Sequence, residues 1–175
     1  MPDMATHYAF SLLLSSRFMK LRHALLFAFV GILPDLDVIF RVHRSLTHSL
    51  MISAVPFLLM YGVVKCTKLN RSLDSLVLLG LALYEIHVLM DLLIAPTPIM
   101  WPLINTSLTL SIEVYAMLYT QGVELTPRLA LVNTPCDFSQ RDLLGGTLLS
   151  TTGVIVTIIV ISLLLAEYSL KRAPR

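Results

Sequence analysis

Long apolar runs alternate with short polar stretches along the chain, and their lengths predict helices in a membrane. Two runs, at 72–95 and 148–167, approach the roughly 20 residues that a helix needs to cross the bilayer core. A third run, at 49–64, is shorter, and we expect it to cross as a helix kinked by Pro56. Runs at 6–19 and 23–33 predict a helical hairpin partly buried against the other helices, with Pro34 ending its second arm. The pattern therefore predicts an all-α fold, a polytopic membrane helical bundle with four or five membrane-inserted helices.

The composition agrees with an integral membrane protein. Of 175 residues, 56% are hydrophobic and 14% are charged, against about 25% charged in soluble proteins, and the mean hydropathy is +0.79. The net charge of +2 is too small to suggest nucleic acid as a partner. Cys66 and Cys136 have neither the spacing of a zinc knuckle nor the density of a disulfide scaffold. We expect both to be unpaired, and we expect no removable signal peptide.

Basic residues gather at the ends of the apolar runs and predict how the helices are oriented. They form three groups: Arg17, Lys20 and Arg22; Lys65, Lys68 and Arg71; Lys171, Arg172 and Arg175. Because Lys and Arg favour the cytoplasmic side of an inner membrane, all three groups are expected there, together with His23. Threading the chain between these groups places a set of histidines and aspartates on the extracytoplasmic face. The set is His7, Asp35, Asp37, His48, His87 and Asp91. Arg41 and Arg44 do not follow this rule. Arg44 lies inside the histidine cluster, where the site itself or an anionic substrate would hold it.

Residues 96–146 are more polar and are interrupted by prolines. They include a helix-like stretch at 107–120, and we interpret the region as an extracytoplasmic lid or interfacial segment. The chain is expected to be a single integral membrane domain over 1–175. Within it, 1–103 would form the metal-site core, 104–147 the extracytoplasmic or interfacial segment, and 148–168 the C-terminal transmembrane helix.

Imidazoles and carboxylates cluster in three short segments of this apolar chain, where burial is costly unless a cation or a partner compensates it. His87 and Asp91 are four apart and share one face of a helix, with Tyr84 on the same stripe. A metal can bridge the pair, or the pair can be a hydrogen-bonded device that packs two helices. Glu85 points to another face, where a structural role is expected.

The second cluster, Asp35 and Asp37, lies in a turn broken by Pro34, and the third cluster, His43 and His48, follows that turn. Asp35 and Asp37 can offer carboxylate oxygens to a cation or can cap adjoining helices, and capping explains the pair better when it is taken alone. His48 abuts an apolar run beside two hydroxyl side chains, which favours a ligand. His43 is interpreted as a solvated side chain, and His7 is a weak signal by itself. The orientation brings these segments to one face, which favours a shared metal site.

Mixed imidazole and carboxylate donors favour zinc, with manganese or iron as alternatives, over the all-oxygen coordination of calcium. A metal held in this way acidifies water and polarises an ester or phosphoryl oxygen. Hydrolysis is therefore the expected reaction class. No serine in a nucleophile elbow offers a competing mechanism.

Several motifs in their order resemble the YdjM-type family of membrane-bound metal-dependent hydrolases. They are an early histidine, Leu33-Pro34-Asp35-Leu36-Asp37, His43-Arg44-Ser45-Leu46-Thr47-His48-Ser49, His87-x-x-x-Asp91-Leu92-Leu93 and Trp101-Pro102-Leu103, within 5–103. That family is distantly similar to zinc-dependent phospholipases C and single-strand nucleases, which have a helical metal site. The resemblance implies that Asp35 or Asp37 joins His48, His87 and Asp91 around one metal. It also implies that His7 and a bridging Asp91 contribute to a second.

The chain departs from these relatives in two places. Ser45 stands where the family usually has glycine, and no histidine follows His87, so the second His-x-x-x-Glu pair of the phospholipases is missing. We therefore expect one or two ions and not three.

The sequence thus predicts a membrane-embedded hydrolase that cleaves a phosphodiester or ester bond in a lipid-like substrate, with membrane lipids as its partners. Arg44 would pair with a phosphate, and Asp35 or Asp37 would act as the general base. Two other functions remain open. One is a cation or proton transporter that uses His and Asp within the membrane, and the other is a non-catalytic scaffold tied together by a metal.

Overall fold

The structure, a computed structural model, describes residues 3–42, 44–67, 71–140, 142 and 148–172, with the backbone alone at 71, 171 and 172. It is mostly helical, with one two-stranded hairpin in the described chain. The helices are α1 (Met4–Phe18), α2 (Leu21–Phe27), α3 (Leu50–Cys66), α4 (Arg71–Leu92) and α5 (Thr151–Arg172). Short 3₁₀ helices cover Ala28–Ile32, Pro34–Phe40 and Leu46–His48, and the strands are β1 (Thr106–Tyr119) and β2 (Gly122–Pro135). His43, Lys68 and Arg175, which entered the sequence predictions, lie outside the described residues.

Fewer helices are able to span a membrane than the sequence analysis predicted. Ser72–Leu92 and Thr151–Leu170 are long and apolar enough, which confirms the two strongest predicted spans. Leu21–Ile32 and Pro34–Phe40 make a third candidate only if the pair, bent by 53°, counts as one broken span. The described chain therefore has two or three candidate spans, and the prediction of four or five was wrong. The reason is length: α3 has 17 residues and α1 has 15, so neither reaches the roughly 30 Å of a bilayer core at about 1.5 Å per residue.

The predicted helix-like stretch at 107–120 was also wrong, because this segment is strand β1. It pairs antiparallel with β2 from Thr106↔Pro135 to Tyr119↔Gly122, and Thr120 and Gln121 form the turn. Polar and apolar residues alternate with a period of two from Ser107 to Glu113, which is the pattern of a strand with two unlike faces. Gly122 has a φ of 152°, in a region that a residue with a side chain rarely adopts. The fold is therefore not all-α.

Helix α1 is fixed to α5 at both of its ends. At the first end, Asp3 caps α1 by accepting from Thr6 N at 2.8 Å, and its other carboxylate oxygen accepts from Ser150 N. Burial raises the pKa of Asp3, but the hydrogen bonds from Ser150 and Thr6 outweigh that effect and lower it to about 2. At the other end, Arg17 donates to Glu167 at 2.6 Å. The two helices therefore lie side by side and run in the same direction.

Close packing brings the arm that follows α1 against it. Ala24 and Ala28 are fully buried against Leu12. Further along this arm, a Cβ on Gly31 would overlap the Ser11 side chain, so this position requires glycine. The chain then bends at Pro34, which ends the arm as predicted and begins the next 3₁₀ helix. The bend directs Asp35 and Asp37 towards the end of the bundle where α1 begins and α4 ends.

The opposite end of the bundle carries basic residues. Lys65 at the end of α3 pairs with Asp74 in the first turns of α4, and Arg17 pairs with Glu167. His23 lines a groove at this end with Phe18, Met19 and Ser72, far along α1 and α4 from the candidate ligands. These two ion pairs and the clustered histidines therefore lie at opposite ends of the bundle. Which end faces the cytoplasm stays a prediction, because no contact within the chain bears on it.

Candidate metal centre

Four metal-ligand side chains meet at one end of the bundle. Asp35 comes from the 3₁₀ helix after Pro34, His48 from the 3₁₀ helix before α3, and His87 and Asp91 from the last two turns of α4. One potential ligand atom from each lies within 4.8 Å of the others. Asp35 is 9% exposed, while His48, His87 and Asp91 are exposed by at most 2%. A compact, buried donor set of two imidazoles and two carboxylates is the composition that zinc and similar ions prefer.

The backbone fixes the orientation of His87. Its Nδ1 lies 2.7 Å from the carbonyl oxygen of Gly31. Because a carbonyl only accepts, Nδ1 carries the hydrogen and the lone pair is left on Nε2. That atom lies 3.4 Å from Asp35 Oδ1 and makes no hydrogen bond within the described chain. In a metal-binding histidine, one ring nitrogen usually donates to a backbone carbonyl or carboxylate, while the other ring nitrogen faces the metal. His87 has this arrangement. The buried Nε2 of His87, which faces the other donors without a hydrogen bond in the described chain, is the feature that fits a bound metal.

His48 lies between two groups of carboxylates. Its Nδ1 is 3.3 Å from Asp37 Oδ2, and its Nε2 is 3.5 Å from Asp91 Oδ2 and 3.8 Å from Asp35 Oδ1. Burial lowers the pKa of His48, but the interaction of the ring with these three carboxylates outweighs that effect and raises the pKa to about 10. A cation would replace that proton, because a metal ligand must present an unprotonated nitrogen.

Asp37 lies on the other side of the His48 ring from the four-residue cluster. Its Oδ2 accepts from Ser45 N at 2.9 Å, Ser45 Oγ at 3.3 Å and Thr47 Oγ1 at 3.0 Å. The side chain is 1% exposed. The sequence analysis made Asp37 an alternative to Asp35 as a ligand and as a base, and the structure places only Asp35 inside the cluster.

Asp91 is the carboxylate with the most cationic surroundings. Its Oδ1 lies 3.3 Å from His7 Nε2, and its Oδ2 accepts from Arg44 Nε at 2.8 Å. The His7 ring stacks on His87, with centroids 3.7 Å apart and planes at 25°. His7 is therefore next to the cluster, although it is not one of the four residues whose donor atoms converge.

Arg44 sits at the rim of the site in a left-handed conformation, with φ of 57°. Its side chain is 11% exposed, and Nη2 is buried without a hydrogen bond in the described chain. The guanidinium therefore has an unused donor beside the donor cluster. An anion is the natural partner for such a donor.

Further hydrogen bonds hold the elements of the site in place. Tyr84 donates to the Thr47 carbonyl at 2.9 Å, which fixes the loop before α3 against α4. Ser53 donates to Glu85 at 2.7 Å, so Glu85 links α3 to α4, in line with the structural role expected for it. Sequence reasoning had missed the role of Gly31, because a backbone carbonyl leaves no side-chain signal. His43, interpreted as solvated, lies outside the described residues.

A family profile described as YdjM inner membrane protein matches residues 1–172. The chain belongs to the YdjM inner membrane protein family. The resemblance seen within 5–103 is thereby confirmed and extends over nearly the whole chain. No curated protein and no solved structure matches this YdjM family member. The family description places the protein in the inner membrane, which agrees with its two or three candidate spans.

Proposed function

We propose that this YdjM family member is a membrane-embedded, metal-dependent hydrolase. The observation that supports this most directly is His87, whose Nδ1 is held by the Gly31 carbonyl while its Nε2 faces the buried cluster without a hydrogen bond. Within the described chain this nitrogen is buried, and a carboxylate oxygen, Asp35 Oδ1, lies 3.4 Å from it. Asp35, His48 and Asp91 complete a set of four donors around the same point.

Zinc is the metal that we propose for Asp35, His48, His87 and Asp91, with manganese or iron as alternatives. When bound, such an ion lowers the pKa of a water and polarises an ester or phosphoryl oxygen. His7 and Oδ1 of Asp91, which lie 3.3 Å apart, could contribute to a second ion. Asp37 keeps the His48 ring in position from the side opposite the cluster.

Arg44 is the residue that we propose to bind the substrate anion. Its Nε is engaged by Asp91, and its buried Nη2 leaves a donor for a phosphate oxygen. Asp35 is the most exposed of the four cluster residues, so it is the carboxylate best placed to take a proton during hydrolysis. A phosphodiester fits this combination of a cation and a carboxylate better than a neutral ester does.

The substrate class that we propose is a membrane lipid or another amphiphile. The cluster lies at the end of α4, and α4 is one of the two helices that are long and apolar enough to cross a bilayer. Molecules confined to the membrane reach such a position by lateral diffusion.

A metal scaffold is the second candidate function, and one observation favours it. Four protein donors are enough to fill the tetrahedral coordination of a structural zinc, and three of the four side chains are almost completely buried. A transporter has less support. Residues 76–83 of α4 contain no titratable side chain, so this helix offers no polar path to the other end.

The first experiment is metal analysis by elemental mass spectrometry on the protein purified in mild detergent. We expect about one or two equivalents of zinc, manganese or iron in the native chain and nearly complete loss in His87→Ala. His23→Ala is the matched control, because His23 is exposed at the opposite end of the bundle and its loss should leave the metal content unchanged.

The second experiment separates the two candidate functions. The metal-loaded protein and Arg44→Gln are compared in the hydrolysis of phospholipids and of a soluble phosphodiester. Hydrolysis that requires the metal and falls strongly in Arg44→Gln supports the hydrolase. Metal without hydrolysis of any of these substrates supports the scaffold. Folded protein that contains no metal and takes up no added zinc would exclude both.

A further inference from the structure

The β1–β2 hairpin has two chemically opposite faces. In an antiparallel pair, residues directly across from each other project to the same side, and neighbours along a strand project to opposite sides. On one face, every second residue from Leu108 to Leu118 on β1 and from Val123 to Leu131 on β2 is apolar. This set includes Ile112, Val114, Leu125 and Leu129, and we call it the apolar face.

The other face carries all the charge of the two strands. Glu113 lies directly across from Arg128, and Glu124 lies closer to the turn on the same side. Tyr115, also on this face, donates its hydroxyl to Glu113. No charged residue occurs on the apolar face. The hairpin is therefore amphipathic from the Leu110–Leu131 pair to its turn.

The outer part of the apolar face is uncovered in the described chain. Ile112, Val114, Leu125 and Leu129 are 63%, 64%, 64% and 71% exposed, and Leu118 near the turn is 82% exposed. Towards the base, the same face becomes partly buried at Leu110 and Leu108. An apolar strip of this length does not stay in water on a folded protein, because exposure of such an area marks a contact surface.

The position of the hairpin indicates what covers this face. Its base is fixed to the loop after α4 by two hydrogen bonds of 2.9 Å between Thr97 and Leu108. The hairpin connects α4 to α5, the two helices that are long and apolar enough to span a membrane. Because the two strands are antiparallel, both ends of the hairpin lie together at its base, beside the end of α4. The candidate metal centre lies at that same end.

We propose that the hairpin lies in the membrane interface, with its apolar face against the acyl chains and its charged face towards water. Full insertion is excluded by its two open strand edges and by its charged face, because unpaired backbone groups are not tolerated in the bilayer core. At about 3.4 Å per residue, its 14-residue strands would extend over roughly 45 Å of membrane surface. The inference does not depend on the metal or on the hydrolase.

The test uses two neighbouring positions on β2 that project to opposite faces. In a background with Cys66→Ser and Cys136→Ser, Leu125→Cys reports on the apolar face and Thr126→Cys on the charged face. Each cysteine carries an environment-sensitive fluorophore, and the full chain is placed in vesicles of phosphatidylethanolamine and phosphatidylglycerol. Some vesicles contain lipids with a nitroxide near the headgroup end of the acyl chain. We expect the nitroxide to quench the probe at 125 roughly twofold or more beyond the probe at 126.

A second pair of variants tests whether the apolar face itself holds the hairpin in place. Leu129→Asp puts a charge on that face and should reduce the quenching at 125, whereas Ser111→Asp on the opposite face should leave it unchanged. Equal quenching at 125 and 126 would overturn the proposal. It would also be overturned if the probe at 125 were shielded only at high protein-to-lipid ratios and cysteines at 125 cross-linked between chains, because a second copy would then cover the face.

Discussion

The metal centre and the hairpin depart from the usual distribution of side chains in opposite ways. At the centre, two aspartates and two histidines are almost removed from solvent, while on the hairpin a row of leucines, valines and isoleucines is left uncovered. Buried carboxylates need a compensating charge, and exposed apolar surface needs a cover. Both regions lie at the same end of α4. The buried donor set is suited to binding a cation, and the exposed apolar strip is suited to an apolar environment.

The largest difference is expected when a carboxylate is removed from each region. Asp91→Ala removes the partner of His7, His48 and Arg44, so the mostly buried Arg44 guanidinium loses its charge compensation. Breaking such a network costs about 3–5 kcal/mol. Glu124→Ala on the charged face of the hairpin should change little. Thermal unfolding in detergent measures both, and equal effects would show that the cluster is not a network.

Truncating a leucine on α4, one turn before His87, and another on the hairpin should give the next largest contrast. Leu83 on α4 is 1% exposed, so Leu83→Ala leaves a cavity. We expect a loss near the lower end of roughly 2–5 kcal/mol, since the transfer contribution is small within a bilayer. Leu118→Ala, at a residue 82% exposed, should stay within about 0.5 kcal/mol in detergent. A large loss at Leu118 would mean that the protein itself covers the hairpin.

Glycine substitutions are expected to have smaller effects, and these also differ between the metal centre and the hairpin. In Gly31→Ala, the new Cβ overlaps Ser11 and shifts the carbonyl that holds His87. We expect a loss of about 1–3 kcal/mol together with weaker zinc binding. Gly122→Ala is the matched change in the hairpin, where φ is 152° and no atom lies within 4 Å of the new Cβ. It should strain the turn while zinc binding, measured by competition with a chelating dye, stays at the native level.

The smallest effect concerns Asp3, which is next to neither region. Its pKa of about 2 lies below the ordinary 3.8, so its ionised form stabilises the fold above pH 3.8, and this stabilisation is lost as the pH falls towards 2. Asp3→Ala should cost about 1 kcal/mol at neutral pH through the lost helix cap. Asp3→Asn keeps one acceptor for the cap but replaces the oxygen that accepts from Ser150 with an amide donor. It should lose part of the stability at neutral pH and flatten the stability profile between pH 4 and 2, followed by unfolding in acid. An unchanged profile in Asp3→Asn would assign the acid sensitivity to other groups.

Much of the candidate site could be predicted because helical geometry determines which residues share a face. The spacing of four between His87 and Asp91 puts both on one face of α4, and length and hydropathy alone indicated α4 and α5. Asp35 and Asp37 could not be told apart, since either can reach a neighbouring metal from the same turn. Only the hydrogen bonds from Ser45 and Thr47 to Asp37 separate them.

The hairpin was missed for a reason that is visible in its turn. Asn-Gly or Asp-Gly is the strong local sign of a two-residue hairpin loop, whereas this loop is Thr120-Gln121, and the glycine follows it at 122. The alternation from Ser107 to Glu113 was present, but a run of apolar residues at 114–119 weakened it. The number of spans was overestimated because the short apolar runs at 6–19 and 49–64 were counted as membrane-inserted helices. The structure keeps them short, with 15 residues in α1 and 17 in α3.

The contact between Asp3 and Ser150 has a consequence for how the chain is assembled. These residues are 147 positions apart, yet Asp3 caps the helix that carries His7 into the site. A chain is synthesised from its N-terminus, so α1 is made before Ser150 and α5, against which it packs. The contact that fixes the start of α1 can therefore form only after Ser150 has been synthesised. A truncated chain that ends before 150 should therefore leave His7 loosely held, even with every residue of the four-donor cluster present.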